Sequence, residues 1–152
     1  MDLKGKEIAA LKDLQSQEKT CIEKYTRYQE QAKDSILKEL FQKLAKKEQK
    51  HYDSLEQVIS GQVPDCDCND TDGRDYNPTP TYTASDNSEA KKSDCFLATD
   101  CIATEKLVSG EYNTDVFVFA NAAIRKLLAD IQIEEQNHAE MLYKYKTVNC
   151  MA

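Results

Sequence analysis

Four stretches of the chain place apolar residues at alternating steps of three and four, the spacing of one face of an α-helix. The first runs Leu11, Leu14, Glu18, Cys21, Tyr25, Tyr28, Ala32, and the second Leu37, Phe41, Leu44, Glu48, His51, Leu55, Val58. A third, less regular, runs Ala98, Cys101, Glu105, Val108, Tyr112, Val116, Phe119, and the fourth Ile124, Leu128, Ile131, Glu135, His138, Leu142, Tyr145. Ionisable side chains interrupt every stripe: Glu18 in the first, Glu48 and His51 in the second, Glu105 in the third, Glu135 and His138 in the fourth.

The stripes are copies of one another. Glu18-Lys19 and Glu105-Lys106 stand 87 positions apart, as do Tyr25 and Tyr112, Leu37 and Ile124, Leu44 and Ile131, Glu48-Gln49 and Glu135-Gln136, His51 and His138, and Leu55 and Leu142. Asp34 and Asn121 keep the same offset, and each is a good N-cap where the second helix of a hairpin should begin. The repeat predicts an all-α fold of two antiparallel helical hairpins, about 8–60 and 95–147, related by a pseudo-two-fold axis within a single domain spanning 1–152.

The caps fix the level of the intruding residues. Glu18 lies 16 residues before its cap and Glu48 lies 14 after it, so both sit about 21–24 Å from the turn at a rise of about 1.5 Å per residue. Glu105 and Glu135 are level for the same reason, and each histidine follows a glutamate by three positions on the same face. With 13 glutamates in the chain, chance would place both histidines three after a Glu with a probability of only about 0.007.

Packing the hairpins together would bury four glutamates and two histidines in one layer of an apolar core. Four carboxylates there would protonate or open the bundle, because each desolvated charge costs several kcal/mol after relaxation. Two divalent cations cancel four negative charges, and neutral imidazoles complete their coordination. The sequence therefore predicts a dinuclear metal site at Glu18, Glu48, His51, Glu105, Glu135 and His138.

Between the hairpins, residues 61–94 hold all three prolines, Gly61 and Gly73, and many Asp, Asn, Ser and Thr residues, and read as a loop. Its length suits a crossover running about 40 Å along the bundle. The net charge of −7 and the lack of a basic, aromatic-interleaved stretch argue against nucleic acid as a partner. No window approaches the roughly 18 apolar residues of a membrane span, and the start lacks the apolar core of a secretory signal, so cytosolic synthesis is expected. Six cysteines are expected as reduced thiols. Cys66-Asp67-Cys68 has neither zinc-knuckle nor redox-pair spacing.

Several further residues carry open alternatives. Asp13 and Asp100, five before Glu18 and Glu105, are candidates to orient a histidine, to cap, or to face solvent. Tyr25 and Tyr112 either fill core or donate toward the site. Gly110 marks a π-bulge, an access point or a close-packing position. Glu134 stands where the other half has Lys47, so the halves differ in charge.

One Glu from each of two helices with Glu-x-x-His from each of the other two resembles the ferritin-like di-iron and di-manganese carboxylate proteins, over about residues 8–60 and 94–147. Ala98-Thr99-Asp100-Cys101-Ile102-Ala103-Thr104-Glu105-Lys106 and Ile131-Gln132-Ile133-Glu134-Glu135-Gln136-Asn137-His138-Ala139-Glu140, with the Ala120-Asn121-Ala122 turn, are similar to the coat F family of spore-coat proteins. The first resemblance implies a ferritin-like four-helix bundle with Glu18 and Glu105 as terminal ligands, Glu48 and Glu135 as bridges, and His51 and His138 as one ligand to each metal. The two Cys-x-x-Cys pairs of rubrerythrins are missing.

Two functions follow as expectations. In one, the two metals, iron or manganese, react with dioxygen or peroxide. In the other, the protein is a structural spore-coat component whose metals stabilise the bundle, with Tyr76, Tyr82, Cys66, Cys68 and Cys150 serving assembly. Other spore-coat proteins and a second copy of the chain are the expected macromolecular partners. Bulk iron storage would require a hollow multi-subunit shell.

Overall fold

The computed structural model describes residues 3–65 and 71–151 of the chain, so Cys66 and Cys68 lie outside the described residues. The described residues are all-helical, with four long helices: α1 Gly5–Gln31, α2 Ser35–Ile59, α4 Glu89–Asp115 and α5 Ala122–Val148. A one-turn helix, α3 Asp72–Asp75, interrupts the connection between α2 and α4, and a 3-10 turn, Val116–Val118, leads α4 into its bend.

Both expected caps form. Asp34 accepts the Ile36 N–H at 3.0 Å to open α2, and Asn121 accepts those of Ala123 at 2.8 Å and Ile124 at 3.3 Å to open α5. The helix before Asn121 stops at Asp115, short of the Val116 and Phe119 that its apolar stripe seemed to include. α4 also begins at Glu89, inside the stretch read as loop. Ser88 caps it by accepting the Lys91 N–H at 3.2 Å, while Asp86 accepts the Ser88 N–H at 2.7 Å. Residues of turn-forming type are here the start signal of a helix, not its absence.

Cross-helix bonds give the directions. Tyr25 meets Glu105, Tyr28 meets Asp100 at 2.7 Å, and Tyr112 meets Glu18, so α1 and α4 are antiparallel. His51 meets Glu134 at 2.5 Å and Glu48 approaches His138 at 3.3 Å, so α2 and α5 are antiparallel as well. It follows that α2 and α4 run the same way, and the connection between them must return along the bundle. It does so beside α5: Val63–Asp65 lie near Lys126, the Gly73 N–H bonds Asn137 at 2.8 Å, and the Thr81 and Tyr82 N–H groups bond Asn149 at 2.8 and 2.9 Å.

The core falls into two apolar clusters. One gathers Tyr25, Leu37, Phe41, Leu44, Ala98, Cys101, Leu142 and Tyr145 toward the α1–α2 turn. The other gathers Leu11, Leu14, Cys21, Leu55, Val108, Tyr112, Ile124 and Leu128 toward the opposite end. Between them lies a layer of buried ionisable side chains.

Gly110 sits inside the uninterrupted helix α4, and a Cβ there would meet nothing within 4 Å. It is neither a bulge nor a close-packing position. No helix of the described residues is long and apolar enough to cross a membrane.

Candidate metal centre

All six sequence-identified side chains converge in the buried layer. Glu18, Glu48 and Glu135 are fully buried, Glu105 is 1% exposed, and His51 and His138 are 3% exposed. Their donor atoms form two overlapping groups: Glu18, Glu48, His51 and Glu135 in one, Glu48, Glu105, Glu135 and His138 in the other, with the atoms of each group within 4.8 Å of one another. Glu48 and Glu135 belong to both.

Each imidazole turns its Nδ1 inward. His51 Nδ1 lies 3.0 Å from Glu48 Oε2 and 3.0 Å from Glu135 Oε1. His138 Nδ1 lies 3.3 Å from Glu48 Oε1 and 3.5 Å from Glu105 Oε2. The rings stack with centroids 5.7 Å apart. The other nitrogen of His51 meets Glu134 Oε2 at 2.5 Å. With Nε2 engaged by Glu134, Nδ1 is the nitrogen turned toward the inner carboxylates and toward any cation held among them.

Glu105 and Glu18 are held from across the bundle. Tyr25 on α1 donates to Glu105 on α4, and Tyr112 on α4 donates to Glu18 on α1. The tyrosines therefore both fill core and reach the site. Asp13 and Asp100 do not: Asp13 is exposed, and Asp100 accepts from Lys24 and Tyr28, each at 2.7 Å. Glu134 takes the histidine-orienting place that was one of their alternatives, which also accounts for its contrast with Lys47, an ion-pair partner of Asp72 at 3.0 Å.

Buried polar atoms normally find hydrogen-bond partners, yet Glu18 Oε2, Glu48 Oε1, Glu105 Oε2, both oxygens of Glu135 and His138 Nδ1 have none. Burial drives Glu18 up to about 8, with the charges of Glu48 and Glu135 adding to it, and drives Glu105 well above the ordinary carboxylate range. Burial pushes Glu48 and Glu135 the same way but is outweighed: His138 and His51 hold Glu48 low, and Glu105, His138 and His51 hold Glu135 low. Burial disfavours charge on the histidines, but surrounding carboxylates outweigh it and raise both. The raised groups favour their protonated forms, which offsets part of the layer's buried charge in the metal-free protein.

Each group of donors is compact enough to hold a cation. Donors on opposite sides of one ion, at bonds of about 2.0–2.6 Å, are separated by about 4–5 Å, which matches the spread of each group. Oxygen donors with one imidazole per ion suit iron and manganese alike.

A cavity of about 300 Å³ between α4 and α5 reaches this layer, lined by Glu105, Lys106, Ser109, Glu135, Gln136 and Ala139. Elsewhere, Cys21 and Cys101 are buried free thiols, Cys95 is half-buried and Cys150 is exposed. Tyr76 and Tyr82 are not free surface groups. Both pack against the core, burial pushes Tyr76 up to about 12, and the Tyr82 hydroxyl donates to Asp94 at 2.8 Å.

Fold and site together define an all-helical protein with a buried carboxylate–histidine cluster able to hold metal. Within it, residues 93–147 match the family model described as the Coat F domain. The match includes Glu105, Glu135 and His138 but not Glu18, Glu48 or His51. No curated protein and no solved structure matches the chain.

Proposed function

We propose that this chain is a ferritin-like dimetal carboxylate protein of the spore coat, whose centre reacts with dioxygen or peroxide. The observation that carries the reading is the set of orphaned donors in two groups sharing Glu48 and Glu135. In this reading Glu48 and Glu135 bridge two ions, Glu18 and His51 serve one, and Glu105 and His138 serve the other. Iron or manganese would supply the electron transfer toward oxygen that no side chain here provides. The protein's own part is to hold six donors in place, to orient His51 through Glu134, and to keep bulk water out with the apolar clusters on either side. The parallel course of α2 and α4 and the long return connection support the ferritin-like arrangement, and the Coat F match supports the spore-coat setting.

Metal analysis of protein purified without added metal tests this directly. About two iron or manganese ions per chain are expected, on the basis of one ion per donor group, together with peroxide consumption faster than the same metal gives in free solution. Near-zero metal and a melting curve unmoved by chelator would overturn the reading. The Coat F match also favours a second reading, in which the metals only stiffen a coat component. That reading holds if metal is bound and Glu48→Ala lowers the melting temperature while neither form consumes peroxide above the free-metal rate.

A further inference from the structure

The cavity beside the centre has a counterpart position that the repeat allows to be inspected. Shifted back by 87, its lining residues Glu105, Lys106, Ser109, Glu135, Gln136 and Ala139 become Glu18, Lys19, Ile22, Glu48, Gln49 and Tyr52. Glu, Lys, Glu and Gln are unchanged. The two that differ both differ in bulk: Ser109 stands for Ile22, and Ala139 stands for Tyr52. Ile22 on α1 and Tyr52 on α2 are half-buried at the matching positions of the first hairpin.

We propose that small ligands enter the centre from one side only, through the mouth that Ser109 and Ala139 leave open between α4 and α5, and that Ile22 and Tyr52 plug the equivalent mouth between α1 and α2. The inference rests on the dimetal reading and deepens it. The ion served by Glu105 and His138 faces the entering ligand, and the ion served by Glu18 and His51 is shielded.

The lining sets the ligand class. Buried Glu105 and Glu135 lie at the inner end of the cavity, half-buried Ser109 and Ala139 line it, and exposed Lys106 and Gln136 stand at its outer end. A volume of about 300 Å³ is at the lower limit of pockets that enclose organic ligands. Hydrogen-bonding species of two or three heavy atoms, neutral or anionic, fit such a lining; peroxide is one, and azide is a stable probe of the same size.

The test uses metal-loaded protein and stopped-flow azide binding, with metal content measured in parallel. In Ser109→Ile/Ala139→Tyr, which transplants the plug, metal content should stay at the wild-type value while azide association slows by about tenfold or more, because binding now waits on side-chain displacement. Ile22→Ser/Tyr52→Ala, which removes the natural plug, should bind azide faster than wild type. This second variant keeps the test decisive if the first does not fold. Unchanged azide rates in a metal-loaded, folded variant of either kind would overturn the one-sided entry while leaving the metal reading intact. Wild-type protein without metal would overturn both, and the metal analysis tells the two failures apart.

Discussion

Tyr25 and Glu105 meet across the bundle, the α1 hydroxyl donating to the α4 carboxylate, and Tyr112 and Glu18 repeat the bond in the opposite direction. Each hairpin thereby secures a buried glutamate of the other. The two halves of the repeat are coupled at the layer where charge is concentrated, so the site cannot be assembled by one hairpin alone.

Tyr25→Phe removes one of these donors and leaves a fully desolvated carboxyl oxygen without its partner. The metal-free protein should lose about 1–3 kcal/mol of stability, and Tyr112→Phe should lose a similar amount because the two bonds are equivalent. Urea midpoints at constant m-value would measure both. A loss confined to one of the pair would contradict the equivalence.

Stability of the metal-free protein should fall as pH rises. Glu18 and Glu105 are raised by burial, and both histidines are raised by the carboxylates around them, so above about pH 4.5 the folded chain holds more protons than the unfolded chain. Glu48 and Glu135, held low by the imidazoles, have the opposite effect below that point, where stability is lost as pH falls. Melting temperature in chelator should therefore peak near about pH 5 and decline toward pH 8 and above, and saturating metal should remove the decline.

Metal binding at pH 7 should release protons. Glu18, Glu105, His51 and His138 are all shifted toward their protonated forms in the metal-free layer, and divalent ions must displace those protons for the donors to coordinate. Titration with Mn(II) in weak buffer, read by pH electrode, would count them. An unchanged pH on saturation would contradict those shifts.

Glu134→Gln should weaken metal binding without emptying the core. The amide oxygen still accepts from His51 Nε2 but carries no charge to raise the imidazole's basicity, and weakening such an orienting partner costs up to about 10–100-fold in affinity. Competition against a chelator should show one ion per chain leaving more readily. Gln replaces the side chain with one of the same size, so the melting temperature of the metal-free protein serves as the control for packing.

Asp94 ties three segments together: it accepts the Lys33 N–H at 2.8 Å, the Asp34 N–H at 2.9 Å and the Tyr82 hydroxyl at 2.8 Å. Asp94→Ala strips the α1–α2 turn and the return connection of a shared, fully buried acceptor. A loss of about 3 kcal/mol or more is expected, with amide exchange at Tyr82 accelerating before exchange in α5.

Much of the centre was legible because its residues break a rule. A glutamate or histidine on an apolar stripe is visible in one dimension, and the 87-residue offset places each one level with its counterpart. Glu134 was visible only as an unexplained asymmetry with Lys47, since its role depends on which way the His51 ring faces across α2 and α5. Asp94 carried no signal, because its partners lie in segments remote from it in sequence.

The sequence by itself determined the four periodic helical stripes, the caps at Asp34 and Asn121 and the level of the ionisable layer, because the stripes and the level follow from a fixed rise per residue and a fixed number of residues per turn. Only the tertiary structure decided which oxygen meets which hydroxyl, which nitrogen of His51 faces inward, and that the Ser109 side of the layer opens into a cavity. Those outcomes depend on the rotation and approach of helices that are distant in the chain. Interhelical packing sets them, and no periodicity within a single helix encodes it.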